Sequence, residues 1–149
     1  NQYLRTLKGF ESEEPQAGDR VICLRNNQQK QIYNGMLGTL EHIRRIDKNF
    51  FEVSVDFDDQ NQLYEGLVVA KQFNSPQTIS FNGQDRYLLK KADLFDFAYA
   101  LTVHKAQGSQ AKRVIVFEER FKQMSDEDWR RWLYTAVTRA EEELIIIGD

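Results

Sequence analysis

The segment from Arg113 to Ile147 restricts the fold more than any other. An apolar run, Arg113 to Phe117 (RVIVF), precedes a helical pattern over Ser125 to Ala140, and a second apolar run follows, Leu144 to Ile147 (LIII). Ser125 with Asp128 has the spacing of a capping box, which satisfies the orphan amides of a first helical turn. Trp129, Trp132, Leu133, Ala136, Val137 and Ala140 recur at helical spacing and form one apolar stripe. Two strands joined through a helix pair in parallel, and the second run is expected to be buried. Phe95 to Val103 is apolar enough for a central strand. It leads into Ala100 to Gln110 (ALTVHKAQGSQ), which ends on a Gly-Ser turn. The C-terminal third therefore reads as α/β.

The middle of the chain has a different texture. Asn49 to Phe57 alternates, with Phe51, Val53, Val55 and Phe57 on one face and Glu52, Ser54 and Asp56 on the other. That is the pattern of a half-buried antiparallel strand. Met36 to Ile43, Leu63 to Val69, Thr78 to Phe81 and Arg86 to Lys90 are expected as further strands, with turn signals at Asn34-Gly35 and Asn82-Gly83. Short strands at this spacing point to a small β-barrel over residues 37–94, set within an α/β chain. Ahead of it, Arg20 to Arg25 reads as a buried strand after a Gly18-Asp19 turn. Asn1 to Gly9 reads as a short helix with Tyr3, Leu4 and Leu7 near one face.

Composition excludes several classes. The chain has 149 residues, 41% apolar and 29% charged, with a formal charge of −3. A chain of this length buries roughly 70% of its unfolded surface and needs no staple to fold. The charge argues against a broadly basic nucleic-acid coat but leaves room for local basic patches. Cys23 is the only cysteine, so no internal disulfide forms, and no Cys/His cluster has zinc spacing. No apolar run reaches membrane-span length. A cytoplasmic protein without a membrane role is expected, and the absence of an initiator Met points to a piece of a longer chain.

The residues with chemistry lie in two stretches. Thr102, His104, Lys105, Gln107, Ser109 and Gln110 all hydrogen-bond, and hydroxyls, an ammonium and amides near Gly108 suit phosphate oxygens. A plain polar loop fits the same residues. On a helical wheel Arg139 lies at the edge of the apolar stripe, about 90° from its centre. There it reads equally as a snorkelling arginine or as a partner of Glu141 or Glu142. No Walker-type Gly-x-x-x-x-Gly-Lys-Ser/Thr occurs, so the phosphate cradle and Mg²⁺ ligands for nucleotide hydrolysis are not in this chain.

A family resemblance adds to this reading. Leu101 to Gln110 (LTVHKAQGSQ), followed by Val114-Ile115-Val116, resembles motif V of superfamily 1 helicases. Leu133 to Ala140 (LYTAVTRA), followed by Leu144 to Asp149 (LIIIGD), resembles their motif VI. Gly18 to Asn27 (GDRVICLRNN) with Tyr33 to Gly38 (YNGMLG) is similar to the segment entering the insert of the second motor domain in the RecD type, which includes the alpha subunit of exodeoxyribonuclease V. The resemblance implies a RecA-like second motor domain, a parallel sheet with flanking helices, over residues 1–36 and 95–149. It implies an SH3-like barrel insert over residues 37–94. It makes Arg139 the arginine finger that reaches the γ-phosphate of ATP. It makes Gly108, Ser109 and Gln110 nucleotide-facing, and Thr102, His104 and Lys105 contacts to the single-stranded DNA backbone. Relatives often carry Ser where Ala106 stands and Glu where Gln110 stands, and an amide there can still hydrogen-bond a ribose hydroxyl.

The partners implied are single-stranded DNA, an N-terminal motor domain holding ATP and Mg²⁺, and other subunits of a nuclease–helicase complex. Movement along DNA would run 5′ to 3′. The isolated chain is expected to be inactive. Two alternatives stay open: a protein- or peptide-binding module built on the barrel, and the helicase part of a relaxase. Phe51, Val53 and Phe57 of the insert are expected in its core rather than on bases. Arg25 and Asn27 read either as nucleotide or DNA contacts or as a surface pair at a strand end.

Overall fold

The computed structural model describes residues 1–61 and 63–148, in two compact units divided between Leu101 and Thr102. The first unit contains α1 (Gln2–Leu7), β1 (Arg20–Cys23), β2 (Leu37–Arg45), β3 (Phe50–Phe57), β4 (Leu63–Val69) and β5 (Phe95–Phe97). The strands form one sheet in the order β4-β3-β2-β1-β5, each pair antiparallel. Just before β5, Asp93 bridges back to Val68 of β4 in parallel. The Asp93 amide donates to the Leu67 carbonyl at 2.9 Å and the Val69 amide donates to the Asp93 carbonyl at 3.1 Å. The sheet therefore closes on itself.

The alternation expected in β3 carries this closure. Phe51, Val53, Val55 and Phe57 point into an interior shared with Val21, Leu40, Tyr64, Val68 and Phe95. Phe51, Val53 and Phe57 are core residues as expected. At Gly38, a Cβ would stand 2.6 Å from the Asp56 carbonyl oxygen and 2.8 Å from Val55 Cγ1, so the close approach of β2 to β3 requires glycine. A second apolar cluster gathers on the other side of β1, where Ile22 and Leu24 meet Phe50, Val69, Leu88, Leu89 and Leu94.

Several expectations are corrected here. Thr78 to Phe81 and Arg86 to Lys90 are not strands. The chain turns through Asn82-Gly83, and Leu88–Lys90 is a 3-10 helix. Adjacent Leu88 and Leu89 are both buried, which a two-residue strand alternation cannot do over a one-sided sheet but a tight helical turn can. Phe95 to Val103 is not a central strand. Only Phe95–Phe97 is extended, antiparallel to β1. The next amides are taken by Arg20, whose carbonyl accepts from Ala98, and by Asn1, whose Oδ1 accepts from Tyr99 and Ala100. β1 and β5, read as motor-domain strands, are hydrogen-bonded into the same sheet as β2–β4.

The N-terminal helix forms as expected, and Gly9 ends it at φ +89°, but its buried side chain is not Tyr3, Leu4 or Leu7, which are exposed. It is Arg5, at 0% exposure. All five guanidinium donors have acceptors. Nε and Nη2 meet the two Asp19 oxygens at 2.7 and 2.8 Å, and the rest go to Gln2 Oε1 and the carbonyls of Ser12 and Glu14. The guanidinium carbon lies 4.2 Å from the centre of the Phe97 ring.

The second unit contains β6 (Ala111–Phe117), α2 (Asp126–Val137) and β7 (Ala140–Ile147). β6 and β7 pair in parallel, from Ala111 with Ala140 to Phe117 with Ile147, as the strand–helix–strand pattern predicts. Ser125 caps α2, accepting from the Asp128 amide at 3.1 Å and donating its hydroxyl to the Asp128 carboxylate at 2.7 Å. The expectation that Leu144 to Ile147 is buried fails. All four are exposed, with Ile115 and Phe117 of β6. Among the described residues no helix is long and apolar enough to cross a membrane.

Removing one partner of a fully buried ion pair leaves the other charge uncompensated, which costs about 3–5 kcal/mol. Arg5→Ala is accordingly expected to lower the urea stability of the first unit by about that amount, followed by circular dichroism. A loss below about 1 kcal/mol would show that the clamp does not hold this unit.

Candidate functional site

The motif V-like and motif VI-like candidates fall in the second unit, beginning where regular structure stops. Thr102 opens a chain of turns. Its carbonyl accepts from the Ala106 amide at 3.0 Å, and its hydroxyl accepts from the Lys105 amide at 3.3 Å. The end of the strand expected over Phe95 to Val103 is thus replaced by side-chain capping of a turn, a local competitor of extended backbone. Thr102 and His104 are exposed and Lys105 is half-buried. Gly108 takes φ +91°, which turns the chain toward β6. Ser109 is buried. Its amide and its hydroxyl both donate to the Ala106 carbonyl, at 3.0 and 2.6 Å, while Gly108 and Gln110 stay exposed beside it.

Arg139 lies outside α2. The helix ends at Val137 with Thr138 as its cap, and β7 starts at Ala140, so the helical-wheel position does not describe it. Its partners are neither Glu141 nor Glu142. Nε donates to the Thr135 carbonyl at 3.0 Å, Nη1 to the Ser109 carbonyl at 3.0 Å, and Nη2 to the Thr138 hydroxyl at 3.1 Å. Its own carbonyl accepts from the Ala111 amide at 2.9 Å, which starts the β6–β7 register. The last helical turn and the Gly108–Gln110 turn, thirty residues apart, are therefore joined through one guanidinium. Three of its five donors are bound to this unit. This group of residues offers the exposed Thr102, Gly108 and Gln110, the half-buried Lys105 and an arginine with spare donors, a set suited to anionic oxygens.

Arg25 and Asn27 lie elsewhere, in the first unit. Asn27 is a structural residue. Its Oδ1 accepts from the Lys30 amide, and its Nδ2 donates to Asp93 at 2.8 Å. Asp93 also receives Lys30 at 2.7 Å and the Tyr64 hydroxyl at 2.7 Å. Burial raises the Asp93 pKa, but these donors outweigh it and hold the carboxyl below its ordinary range. Burial pushes the Cys23 thiol up to about 11, so it is no nucleophile. The link from Arg139 to Ser109 was not legible in the sequence, because it joins a side chain to a main-chain oxygen.

Comparison with known proteins bears on the same residues. Residues 97–147 match the model of the UvrD-like helicase C-terminal domain. The ATP-dependent RecD2 DNA helicase of Deinococcus radiodurans is 31% identical over 139 residues, which cover 91% of this chain and 15% of that protein. An uncharacterized protein of Methanocaldococcus jannaschii is 26% identical over 145 residues, 88% of this chain and 10% of that protein. The chain thus spans a small part of these relatives' length. A Bacteroides Pif1 helicase in complex with ADP-AlF3 and ssDNA is 22% identical, with a TM-score of 0.47 over 89% of this chain and 29% of that one. The resemblance to superfamily 1 helicases is borne out by the family match and by the RecD2 relative.

A side chain other than glycine at φ +91° is strained, by about 1–2 kcal/mol. Gly108→Ala is expected to destabilise the second unit by about 1 kcal/mol. Both tryptophans of the chain lie on α2, so their fluorescence during urea unfolding reads this unit directly. An unchanged transition would mean that the turn relaxes without cost.

Proposed function

We propose that this chain is part of the second motor domain of an ATP-dependent DNA helicase of the RecD type. Residues 102–149 would carry its nucleotide- and DNA-facing loops. The observation that carries the reading is the contact of Arg139 with the Ser109 carbonyl. It puts the arginine of the motif VI-like segment against the end of the motif V-like segment, inside the region that matches the UvrD-like helicase C-terminal domain. The name of the Deinococcus relative, an ATP-dependent DNA helicase, supports the activity. The closed sheet of the first unit supports an SH3-like insert. Since β1 and β5 are hydrogen-bonded into that sheet, we place the insert's limits at these strands rather than at residues 37 and 94.

In this proposal ATP and Mg²⁺ are held by the other motor half. Arg139 would reach the γ-phosphate when the two halves close. Its unused donors would meet phosphate oxygens while Nε keeps the side chain anchored on Thr135. Gly108, Ser109 and Gln110 would line the nucleotide side of the turn. Thr102, His104 and Lys105 would hold the backbone of single-stranded DNA. Alternation between open and closed clefts would move the strand across these contacts. The chain by itself would neither hydrolyse ATP nor unwind DNA, since it contains no Walker cradle. Membership of an exodeoxyribonuclease V complex is part of the proposal only as far as the RecD-type resemblance reaches.

Arginine fingers contribute roughly 10³–10⁵ in rate. Arg139→Ala in the intact helicase is expected to keep ATP binding and to lose turnover on that scale. Turnover within about threefold of the unmodified protein, about 0.7 kcal/mol of barrier, would overturn the finger assignment. Lys105→Ala is expected to weaken binding of single-stranded DNA and to flatten its log–log salt dependence by about 0.7, the value for one phosphate. An unchanged slope would remove Lys105 from the DNA path.

A further inference from the structure

The outer face of the closed sheet carries a hollow that the motor reading does not use. Its volume is about 510 Å³, within the roughly 300–1,000 Å³ of small ligand sites, and its lining includes His42, Glu52, Ser54, Glu65 and Leu67. Strand register puts three of these in one row. His42 of β2 stands opposite Ser54 of β3, and Ser54 stands opposite Glu65 of β4. The next row on the same face runs Arg44, Glu52, Leu67. A bulge creates the first row. Leu40 pairs with Val55 and His42 with Ser54, so β2 advances two residues while β3 advances one. Leu40 faces the interior, and in an unbroken strand His42, two residues on, would face it too. The extra residue leaves the imidazole exposed on the outer face instead, a common use of bulges beside functional sites.

Ser54 forms the floor. It is 8% exposed, and its side chain makes no hydrogen bond among the described residues. Among those residues no sealed side-chain oxygen or nitrogen lacks a partner, so the Ser54 hydroxyl opens into the hollow that it lines. Glu65 is exposed and forms neither an ion pair nor a side-chain hydrogen bond among the described residues. Glu52 is already engaged, since Arg44 donates to its Oε2 through Nε at 3.1 Å and Nη2 at 2.6 Å. Among the described residues no lysine or arginine lines the hollow. Its charge is therefore negative, and its free acceptors lie on adjacent strands.

An ammonium has three donors and no acceptor. The row offers one acceptor from each of three strands: a Glu65 carboxylate oxygen, the Ser54 hydroxyl oxygen and the acceptor nitrogen of a neutral His42 imidazole. We propose that this hollow receives a lysine side chain of a partner polypeptide, with its ammonium held by Glu65, Ser54 and His42 and its aliphatic stem laid along Leu67. A planar guanidinium favours two parallel bonds to one carboxylate, which leaves Ser54 unmet. Glu65 is the uncommitted carboxylate of the lining, and Arg44 beside Glu52 repels a second cation. A single ammonium fits these charges, and a polyamine does not. The site is independent of the motor assignment.

The test uses the 149-residue chain and glycine-flanked peptides with blocked ends, whose central residue is lysine, Nε-acetyl-lysine or arginine. Binding is followed through the backbone amide shifts of His42, Ser54 and Glu65 in NMR spectra. The lysine peptide is expected to shift all three together. The acetylated peptide is expected to bind about tenfold more weakly, because acetylation removes the charge. Glu65→Gln is expected to weaken the lysine peptide about tenfold, and Ser54→Ala about fivefold, the scales of a hydrogen bond between charged groups and of an ordinary one. Glu65 is exposed, so the melting curve of Glu65→Gln is expected to be unchanged, and that variant decides even where Ser54→Ala disturbs the sheet. Equal binding of the acetylated peptide would overturn the proposal, as would normal binding by Glu65→Gln. An arginine peptide that binds as tightly would overturn it too, because the hollow would then hold any cation. Free 1,4-diaminobutane that binds more tightly than the lysine peptide would replace the polypeptide partner with a small amine. Absence of shifts at about 10 mM lysine peptide would leave no site.

Discussion

A fully buried guanidinium tolerates no idle donor, and that constraint organises the first unit. Arg5 sits at 0% exposure, where desolvation alone would expel a charged group. It stays because Asp19 meets it with both oxygens and because the Gln2 side-chain oxygen and two main-chain carbonyls of the N-terminal arm take the remaining donors. Asp19 in turn accepts from the Gln16 amide and the Tyr99 hydroxyl. One ion pair thereby fastens the arm, the start of β1 and the chain leaving β5. Asp93 follows the same rule at the point where the sheet closes. Its carboxylate collects three side-chain donors, while its backbone completes the bond pattern to β4. Burial and the Asp93 carboxylate together push the Tyr64 hydroxyl far up, so it stays a proton donor under all ordinary conditions.

The second unit applies the same chemistry to a group left half-exposed. Arg139 is held by two carbonyls and a hydroxyl rather than by a carboxylate. Neutral partners orient a guanidinium without cancelling its charge. In the proposed motor this matters, because a finger already neutralised by Glu141 or Glu142 would have to break that pair before meeting phosphate. Preordering by carbonyls reduces the entropy lost on recruitment and leaves the field of the cation intact. The parallel pair β6–β7 beneath it exposes Ile115, Phe117 and Leu144 to Ile147. Parallel strands are ordinarily covered on both faces, which accords with the proposal that further motor-domain structure packs here.

What could be read from the chain followed periodicity and caps. The β3 alternation, the Ser125 cap and the parallel order of β6 and β7 each rest on local spacing, and each is found; the helical stripe holds from Trp129 to Val137, while Ala140, counted in it, begins β7. The errors came where local spacing supports two outcomes. Leu88 and Leu89 side by side fit a strand end or a 3-10 turn, and the apolar cluster around Ile22 and Phe50 selects the turn. Phe95 to Val103 fits a parallel or an antiparallel strand, and pairing with β1 takes its first three residues. Tyr3, Leu4 and Leu7 lie near one face of α1, yet that face is exposed and Arg5 is the buried side chain. The energy of an Arg5–Asp19 pair fourteen residues apart has no signature in apolar spacing.

By itself, then, the order of residues determined the elements whose hydrogen bonds and apolar stripes close within a few residues, and the motif-like segments that carry the helicase resemblance. Only the tertiary structure decided which strands share a sheet, which charge is buried, and that Arg139 is tied to Ser109. Those outcomes depend on donors and acceptors far apart in the chain. A main-chain carbonyl that accepts a distant guanidinium is the same atom in every residue, so nothing in the letters marks it beforehand.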